Sequence, residues 1–246
     1  MASWNTFKND LTEKKKEWLT HDINKNYVSK HKFIWMNPFR PEVQQFLLGI
    51  TRDAIINYDI DGVQFDDHAA YPVEFGYDDY TKDLYKKDTG KDVPSDMNDP
   101  DWRNWRKRKL DEFMQWFVRE IKKINREFVV SLSPATIGLA EKDFLLDWFN
   151  YATWKNMDTF DEFVPQIYRR DFQVFGPELK THVDAMTKTQ RLNDMHIGLR
   201  LVGEGNPLPP NEAGKHVELI RSSTNYKSGH SWWYGEGKKC FFYDLT

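Results

Sequence analysis

Cysteine is almost absent. A single thiol, Cys240, in 246 residues excludes an intrachain disulfide and any metal cluster built from cysteines. Long hydrophobic runs are missing too: no apolar stretch approaches the roughly 20 residues that cross a bilayer. The opening MASWNTFKNDLTEKKKEWLT has no apolar core of a signal peptide, so neither a membrane span nor a leader is expected. Neither sign of charge dominates. With 35 Lys and Arg against 38 Asp and Glu the net charge is −3, which leaves no basic face able to hold a phosphate backbone, and nucleic acid is not an expected partner. Glycine-rich phosphate loops, a G-x-S-x-G turn around Ser131 or Ser133, tandem repeats and low-complexity segments are all lacking, which removes P-loop and serine-nucleophile chemistry. No cofactor is expected.

Aromatic side chains are what the sequence has in excess. They make up 15% of the chain and include ten tryptophans, more than a core of this size needs, and their rings can stack on apolar faces of a ligand such as a sugar. The length suits one domain over residues 1–246, since a single α/β barrel takes roughly 250 residues. Helical and strand-like segments alternate. RPEVQQFLLGITRDAIINY opens on proline and repeats apolar residues at Val43, Phe46, Leu47, Ile50, Ala54 and Ile55, the spacing of an amphipathic helix. IDGVQFDD follows as a short buried strand. Trp102 to Ile124 reads as a long amphipathic helix with a charged outer face, and EFVVSLSP as a second strand closed by Pro134. Then come a helical EKDFLLDWFNYATW, a strand DEFVPQIY, a helix FGPELKTHVDAMTKTQ, a strand MHIGLRLV, a helix NEAGKHVELIRSST and a last strand GHSWWYG.

That alternation predicts parallel βα units with five strands, centred near Val63, Val130, Ile167, Leu199 and Trp232. The connections after the strands carry the chemistry-bearing residues, and the carboxyl ends of parallel strands are where sites are built. Asp66, Ser133, Tyr168 and Glu204 are therefore expected at one common end. Asp66 and Asp67 end the first strand. Because side chains alternate along a strand, one of the two is expected to face the site and the other to brace it. A carboxylate held there could act as nucleophile, as general acid or base, or as stabiliser of a cationic transition state; it could equally salt-bridge to Arg40 or Arg169. Asp66, Asp67 and His68 are also possible metal ligands, but consecutive residues seldom converge on one ion, and no metal is expected. Asp171, after PQIYRR, fits a helix N-cap as well as a substrate contact. Tyr71, Tyr168, Trp232 and Trp233 are the aromatic candidates for stacking, and one of the adjacent tryptophans must face outward.

Taken together and in order, WMNPFRPEVQQFLL, YDIDGVQFDDHAAYP, FGYDDYTKDLY, WRNWRKRKLDEF, VVSLSP and FVPQIYRRD resemble the glycosyl-hydrolase-like family 10, formerly a domain of unknown function numbered 187. The resemblance runs from about Trp18 to Tyr234. It implies a (β/α)8 barrel of TIM type acting on glycosidic bonds of a carbohydrate polymer, some relatives trimming peptidoglycan glycan strands freed of their peptides, and it implies an extracytoplasmic or cell-envelope setting. Carried over, the acidic strand-end motif falls on Asp66 and Asp67, the NP loop on Asn37 and Pro38, and the PQ-x-Y strand on Pro165, Gln166 and Tyr168. Asp66 and Asp67 are then the catalytic candidates, and Glu204, past the penultimate strand, is the candidate for a second acid beside Asp171 or Asp67 itself. Asn37, Arg40, His68, Tyr71, Gln166, Tyr168, Asp171, Trp232 and Trp233 are the substrate-binding ones.

One departure bears on the fold. Relatives carry three further βα units before NPFRPEV, and here about thirty residues precede it, so an incomplete barrel of about five parallel strands is expected. An eight-strand closure is then out of reach, and the open sheet edges favour self-association. A non-hydrolytic carbohydrate-binding barrel, or a half-barrel that pairs with another chain, are the alternatives.

Overall fold

The computed structural model describes residues 5–6, 10–30, 32–136, 145–147, 159–201 and 208–233. Along the chain these form β1 (Asn5–Thr6), α1 (Asp10–Lys14), β2 (Ile34–Trp35), α2 (Pro41–Asn57), β3 (Gly62–Phe65), β4 (Ala70–Pro72), α3 (Asp79–Thr89), α4 (Pro100–Ile124), β5 (Val129–Leu132), β6 (Leu145–Asp147), β7 (Glu162–Phe163), α5 (Phe172–Lys188), β8 (His196–Arg200), α6 (Pro210–Ser223) and β9 (Gly229–Trp233). No helix among the described residues is long and apolar enough to cross a membrane. The chain divides into two compact units. The first takes Met1–Val63, His68–Phe128 and Ala140–Trp148; the second takes Gln64–Asp67, Val129–Leu139 and Phe149–Thr246.

The second unit is built on strands that follow one another in chain order. A three-stranded sheet runs β3-β5-β7, with β5 and β7 parallel in the register Ser131↔Glu162 and Leu132↔Phe163. The expected strand around Ile167 is shorter than its apolar run. Toward β5 the hydrogen bonds continue, Val164 N–H to the Leu132 carbonyl at 2.7 Å and Gln166 N–H to the Pro134 carbonyl at 2.9 Å, whereas Pro165 has no N–H to give the other side, where pairing is reduced to the parallel bridges Phe163↔Met195 and Gln166↔Gly198. Those bridges join β8, which pairs in parallel with β9 from His196↔Gly229 to Arg200↔Trp233. Five strands in sequence order, in a fold that alternates strand and helix, is the wall pattern of a (β/α) barrel. Val130, Leu132, Phe163, Ile197 and Leu199 are buried along the strands, and Phe175, Leu179, Met186 and Ile220 are buried on α5 and α6. Asp171 caps α5, its carboxylate accepting the Gln173 N–H at 2.9 Å, as the sequence allowed.

In the first unit the helix signals act locally. Pro41 and Pro100 open α2 and α4, where a missing N–H costs nothing. Asp78 caps α3 by accepting the Thr81 N–H at 3.1 Å, Asp99 caps α4 by accepting the Trp102 N–H at 2.9 Å, and Gly90 ends α3 at φ 74°. One face of α4 is buried, from Trp102 and Trp105 through Leu110, Phe113, Met114 and Phe117 to Ile121. Two expectations are corrected here. The apolar spacing of α2 selects Val43 and Leu47 for burial, but leaves Ile50 40% exposed. The segment EKDFLLDWFNYATW, expected as a helix, holds the strand β6, paired antiparallel with β4 as Ala70↔Asp147, Tyr71↔Leu146 and Pro72↔Leu145. Backbone groups of β4 must find partners, and over three residues that pairing overrides helical periodicity. The remainder of that segment lies outside the described residues.

Candidate active site

Chemistry-bearing side chains of the second unit gather at the carboxyl ends of its strands. β3 stops at Phe65, whose carbonyl accepts the Ser133 N–H at 2.6 Å, and the chain turns at Asp67. Leaving the strand at Asp66 frees the two aspartates from the strict alternation that would have sent them to opposite faces. Both are half-buried, and a carboxylate oxygen of each lies within 4.8 Å of the other's. The gap is shorter than the roughly 6.5–9.5 Å that an inverting glycosidase leaves for its water. The same two groups could take a divalent cation, though two adjacent oxygen donors leave most of a coordination shell to be filled from elsewhere.

Next along the ladder, Ser133 is buried and its Oγ donates to the Val164 carbonyl at 2.8 Å, so it fastens strands rather than offering a nucleophile. Gln166 is half-buried; its backbone N–H donates to the Pro134 carbonyl at 2.9 Å, and its side-chain amide donates to the Ser133 carbonyl at 3.0 Å. Tyr168 comes next and lies across Gly198, where an added Cβ would stand 3.5 Å from the Tyr168 ring. Its ring is stacked with Trp233, centroids 6.3 Å apart and planes at 24°. Burial, then the Asp67 carboxylate, then that of Asp66 push the Tyr168 phenol well above its ordinary range, with Arg200 opposing them. The phenol is therefore neutral and a competent hydrogen-bond donor at working pH, within the field of both aspartates and of a guanidinium. Arg200 escaped the sequence reading. Its signal was a lone cation within the apolar run GLRLV, at the carboxyl end of β8.

The other expected residues divide. Trp233 is 47% exposed and Trp232 half-buried, edge-on to His230 at 5.1 Å, so the outward member of the pair is Trp233. Asp171 is the α5 cap already described. Glu204 lies outside the described residues. Asn37, Arg40, His68 and Tyr71 belong to the first unit. Asn37 and Tyr71, expected against substrate, are fully buried in a polar network and present no surface to a ligand. Asn37 donates to Asp78 at 3.0 Å and to Thr81 at 2.7 Å, while the Tyr71 hydroxyl shares a hydrogen bond of 2.8 Å with Thr20. Burial, then Asp78, raise the Tyr71 phenol beyond any working pH. A buried polar group needs its partners inside, and these residues supply them to one another. Arg40 lies over the Tyr80 ring at 4.5 Å, and the His68 ring sits edge-on to Phe33 at 5.2 Å.

The family described as Glycosyl hydrolase-like 10 matches residues 3–206 of the chain. No curated protein matches it. Among solved structures it is similar to the PgaB (BpsB) glycoside hydrolase domain from Bordetella bronchiseptica, with a TM-score of 0.67 at 14% identity, over 91% of this chain and 65% of that one. It is also similar to a GH36 α-galactosidase AgaA variant from Geobacillus stearothermophilus in complex with stachyose, with a TM-score of 0.53 at 11% identity. For AgaB, a GH36 α-galactosidase of the same organism, the TM-score is 0.51 at 9% identity. This chain spans 30% of the length of either α-galactosidase and is itself covered over 98%. At such identities the likeness is one of fold, the α/β barrel type seen in glycoside hydrolases.

Proposed function

Because the chain belongs to the glycosyl hydrolase-like 10 family, we propose that it hydrolyses O-glycosidic bonds within a polysaccharide, and that its substrate is a glycan strand of the peptidoglycan type, met outside the cytoplasm. The observation that carries this reading is the Asp66–Asp67 pair, its carboxylates within 4.8 Å, on the same strand ends as the stacked Tyr168 and Trp233. Asp66 is the catalytic carboxylate, and Asp67 orients it or shares the charge that develops in an oxocarbenium-like transition state. The exposed face of Trp233 carries a sugar ring. Tyr168, held neutral, donates a hydrogen bond to a substrate oxygen or to the carboxylate that gains charge. Glu204, which follows β8 in sequence, is the candidate for the second acid.

Asp66→Asn assayed on denuded glycan strands tests this. The amide keeps the shape and removes the charge, so turnover is expected to fall by about 10³-fold or more with glycan binding retained. If the unmutated chain binds such strands and never cleaves them, it is a carbohydrate-binding barrel, and the hydrolytic reading fails.

A further inference from the structure

The carboxyl ends of β7, β8 and β9 bring together three side chains that the hydrolytic reading uses only in part. Along β8 side chains alternate between the two faces of the sheet. Ile197 and Leu199 are buried on one of them, so Gly198 and Arg200 belong to the other. Gly198 identifies what lies there, since a Cβ in its place would stand 3.5 Å from the Tyr168 ring. In the parallel ladder Arg200 is opposite Trp233, and strand neighbours in register share a face. The Trp233 ring is the one that stacks with Tyr168. Tyr168, Arg200 and Trp233 therefore stand on one face and at one end, all three within the second unit. Arg200 is half-buried there and Trp233 is 47% exposed, so the group opens to solvent beside a fixed aromatic ring.

The same sheet separates charge. Asp66 and Asp67 follow β3 directly, and beyond the order β3-β5-β7 the bridges Phe163↔Met195 and Gln166↔Gly198 put β8 next to β7. Neighbouring strands lie about 4.8 Å apart, so the strand that carries Arg200 is about 14 Å along the sheet from the one that ends at the aspartates. Tyr168 comes between them, and its phenol feels both sides: burial, then Asp67, raise it, and Arg200 opposes them. The site is negative toward β3 and positive toward β8. A sugar that gains positive charge as its bond breaks suits the first end. The second end asks for an anion beside an apolar ring. A guanidinium has five N–H donors and no acceptor, in a planar fork that matches a carboxylate at two points, and it keeps donors to spare when one of them is engaged. The Trp233 ring takes the C–H face of a sugar. Together they fit a sugar unit that carries a carboxylate.

We infer that Arg200 is a specificity-determining residue of this site, and that it selects a glycan whose sugar on Trp233 bears a carboxylate. The inference rests on the reading of these strand ends as a glycan site and narrows it to an acidic glycan. Two kinds of glycan offer that group. On a peptidoglycan-type strand freed of its peptides, each lactyl side chain ends in a carboxylate that an attached peptide would turn into an amide; in a polyuronate the carboxylate is on the ring itself.

The test uses the full chain carrying Asp66→Asn, so that nothing is consumed, and titration calorimetry against three tetrasaccharides: a peptide-free peptidoglycan fragment, tetragalacturonate and neutral tetra-N-acetylglucosamine. At least one of the two acids is expected to bind about tenfold or more tighter than the neutral sugar, and which one does so names the source. Arg200→Met should abolish that preference. Methyl esterification of the preferred acid should do the same on the chain with Arg200 intact, which keeps the test valid if Arg200→Met fails to fold. Equal or tighter binding of the neutral sugar overturns the inference, as does the absence of binding by all three, or a preference that survives Arg200→Met or esterification. The hydrolytic reading is judged apart, by turnover in the unmutated chain: acid-selective binding without cleavage leaves the inference standing and removes that reading, and binding and cleavage of neutral and acidic strands alike do the reverse.

Discussion

Gly198→Ala probes the link between sheet and site most directly. Gly198 lies in β8 opposite Gln166, and a Cβ built there meets the Pro165 carbonyl oxygen at 3.1 Å, the Gln166 Cα at 3.4 Å and the Tyr168 Cε1 at 3.5 Å. The tightest of these is to backbone, and that carbonyl is already the acceptor of the Gly198 N–H at 2.9 Å, so it cannot swing away without losing a ladder bond. The strands must part by a few tenths of an ångström. Overpacking of this kind costs roughly 1–3 kcal/mol, which for a chain of this length lowers the melting temperature by about 2–12 °C. The displaced segment carries Tyr168, so its stack with Trp233 shifts as well. A stacking platform holds ground state and transition state alike, so KM for denuded glycan should rise several-fold to about tenfold with kcat nearly unchanged. Thermal unfolding and steady-state kinetics on the purified variant give both numbers. A variant that melts within a degree of the parent and keeps its KM would refute both the packing argument and the placing of sugar on the Tyr168–Trp233 stack.

Three further outcomes follow from the same contacts. Arg106→Met strands three buried carbonyls and should lower stability by about 3–5 kcal/mol in urea denaturation; a loss below about 1 kcal/mol would mean that water replaces the guanidinium. His182 on α5 is held neutral by burial, its pKa pushed down to about 3 from 6.5. The unfolded chain therefore binds more protons between those values, and the His182 contribution is full above pH 6.5 and is lost as pH falls toward 3; His182→Gln should flatten the stability profile over that window, and an unchanged slope would remove His182 as its cause. Gly176→Ala places a methyl 3.7 Å from Leu219 on α6, an ordinary contact, but the position precedes Pro177 inside α5, where a Cβ in helical backbone crowds the proline ring; the roughly 1 kcal/mol that this exchange brings elsewhere in a helix is not expected, and a clear rise in melting temperature would count against the geometry described here.

Much of the fold was legible because its signals are local. A proline at a helix start, an aspartate cap with its N–H three residues on, a glycine past the last turn of α3 and apolar runs ended by acids or proline each act through neighbours along the chain, and β3, β5, α4, α5, β8, α6 and β9 fell near where those signals put them. The position of the candidate residues was legible for the same reason, since parallel strands present their carboxyl ends together and Asp66, Gln166, Tyr168 and Trp233 lie at or just past those ends. Periodicity could not say that Leu145–Asp147 would pair with β4, that Ile50 would stay in solvent while Val43 and Leu47 were covered, or that Arg106 would be the charged residue of α4 taken into the interior. Those outcomes depend on which surface arrives opposite.

Sequence by itself determined the parallel strands and the helices named above, the Asp171 cap and the strand-end position of the acids, because each of these is set by backbone sterics and hydrogen bonds within a few residues. Tertiary structure decided which polar groups became enclosed. It put Asn37 and Tyr71 into a sealed network with Asp78, left Glu74 Oε2 enclosed without a hydrogen-bond partner, and brought Asp66 and Asp67 together by ending β3 at Phe65. A buried polar atom is satisfied or orphaned by residues far away in the chain, and only their meeting in space settles which.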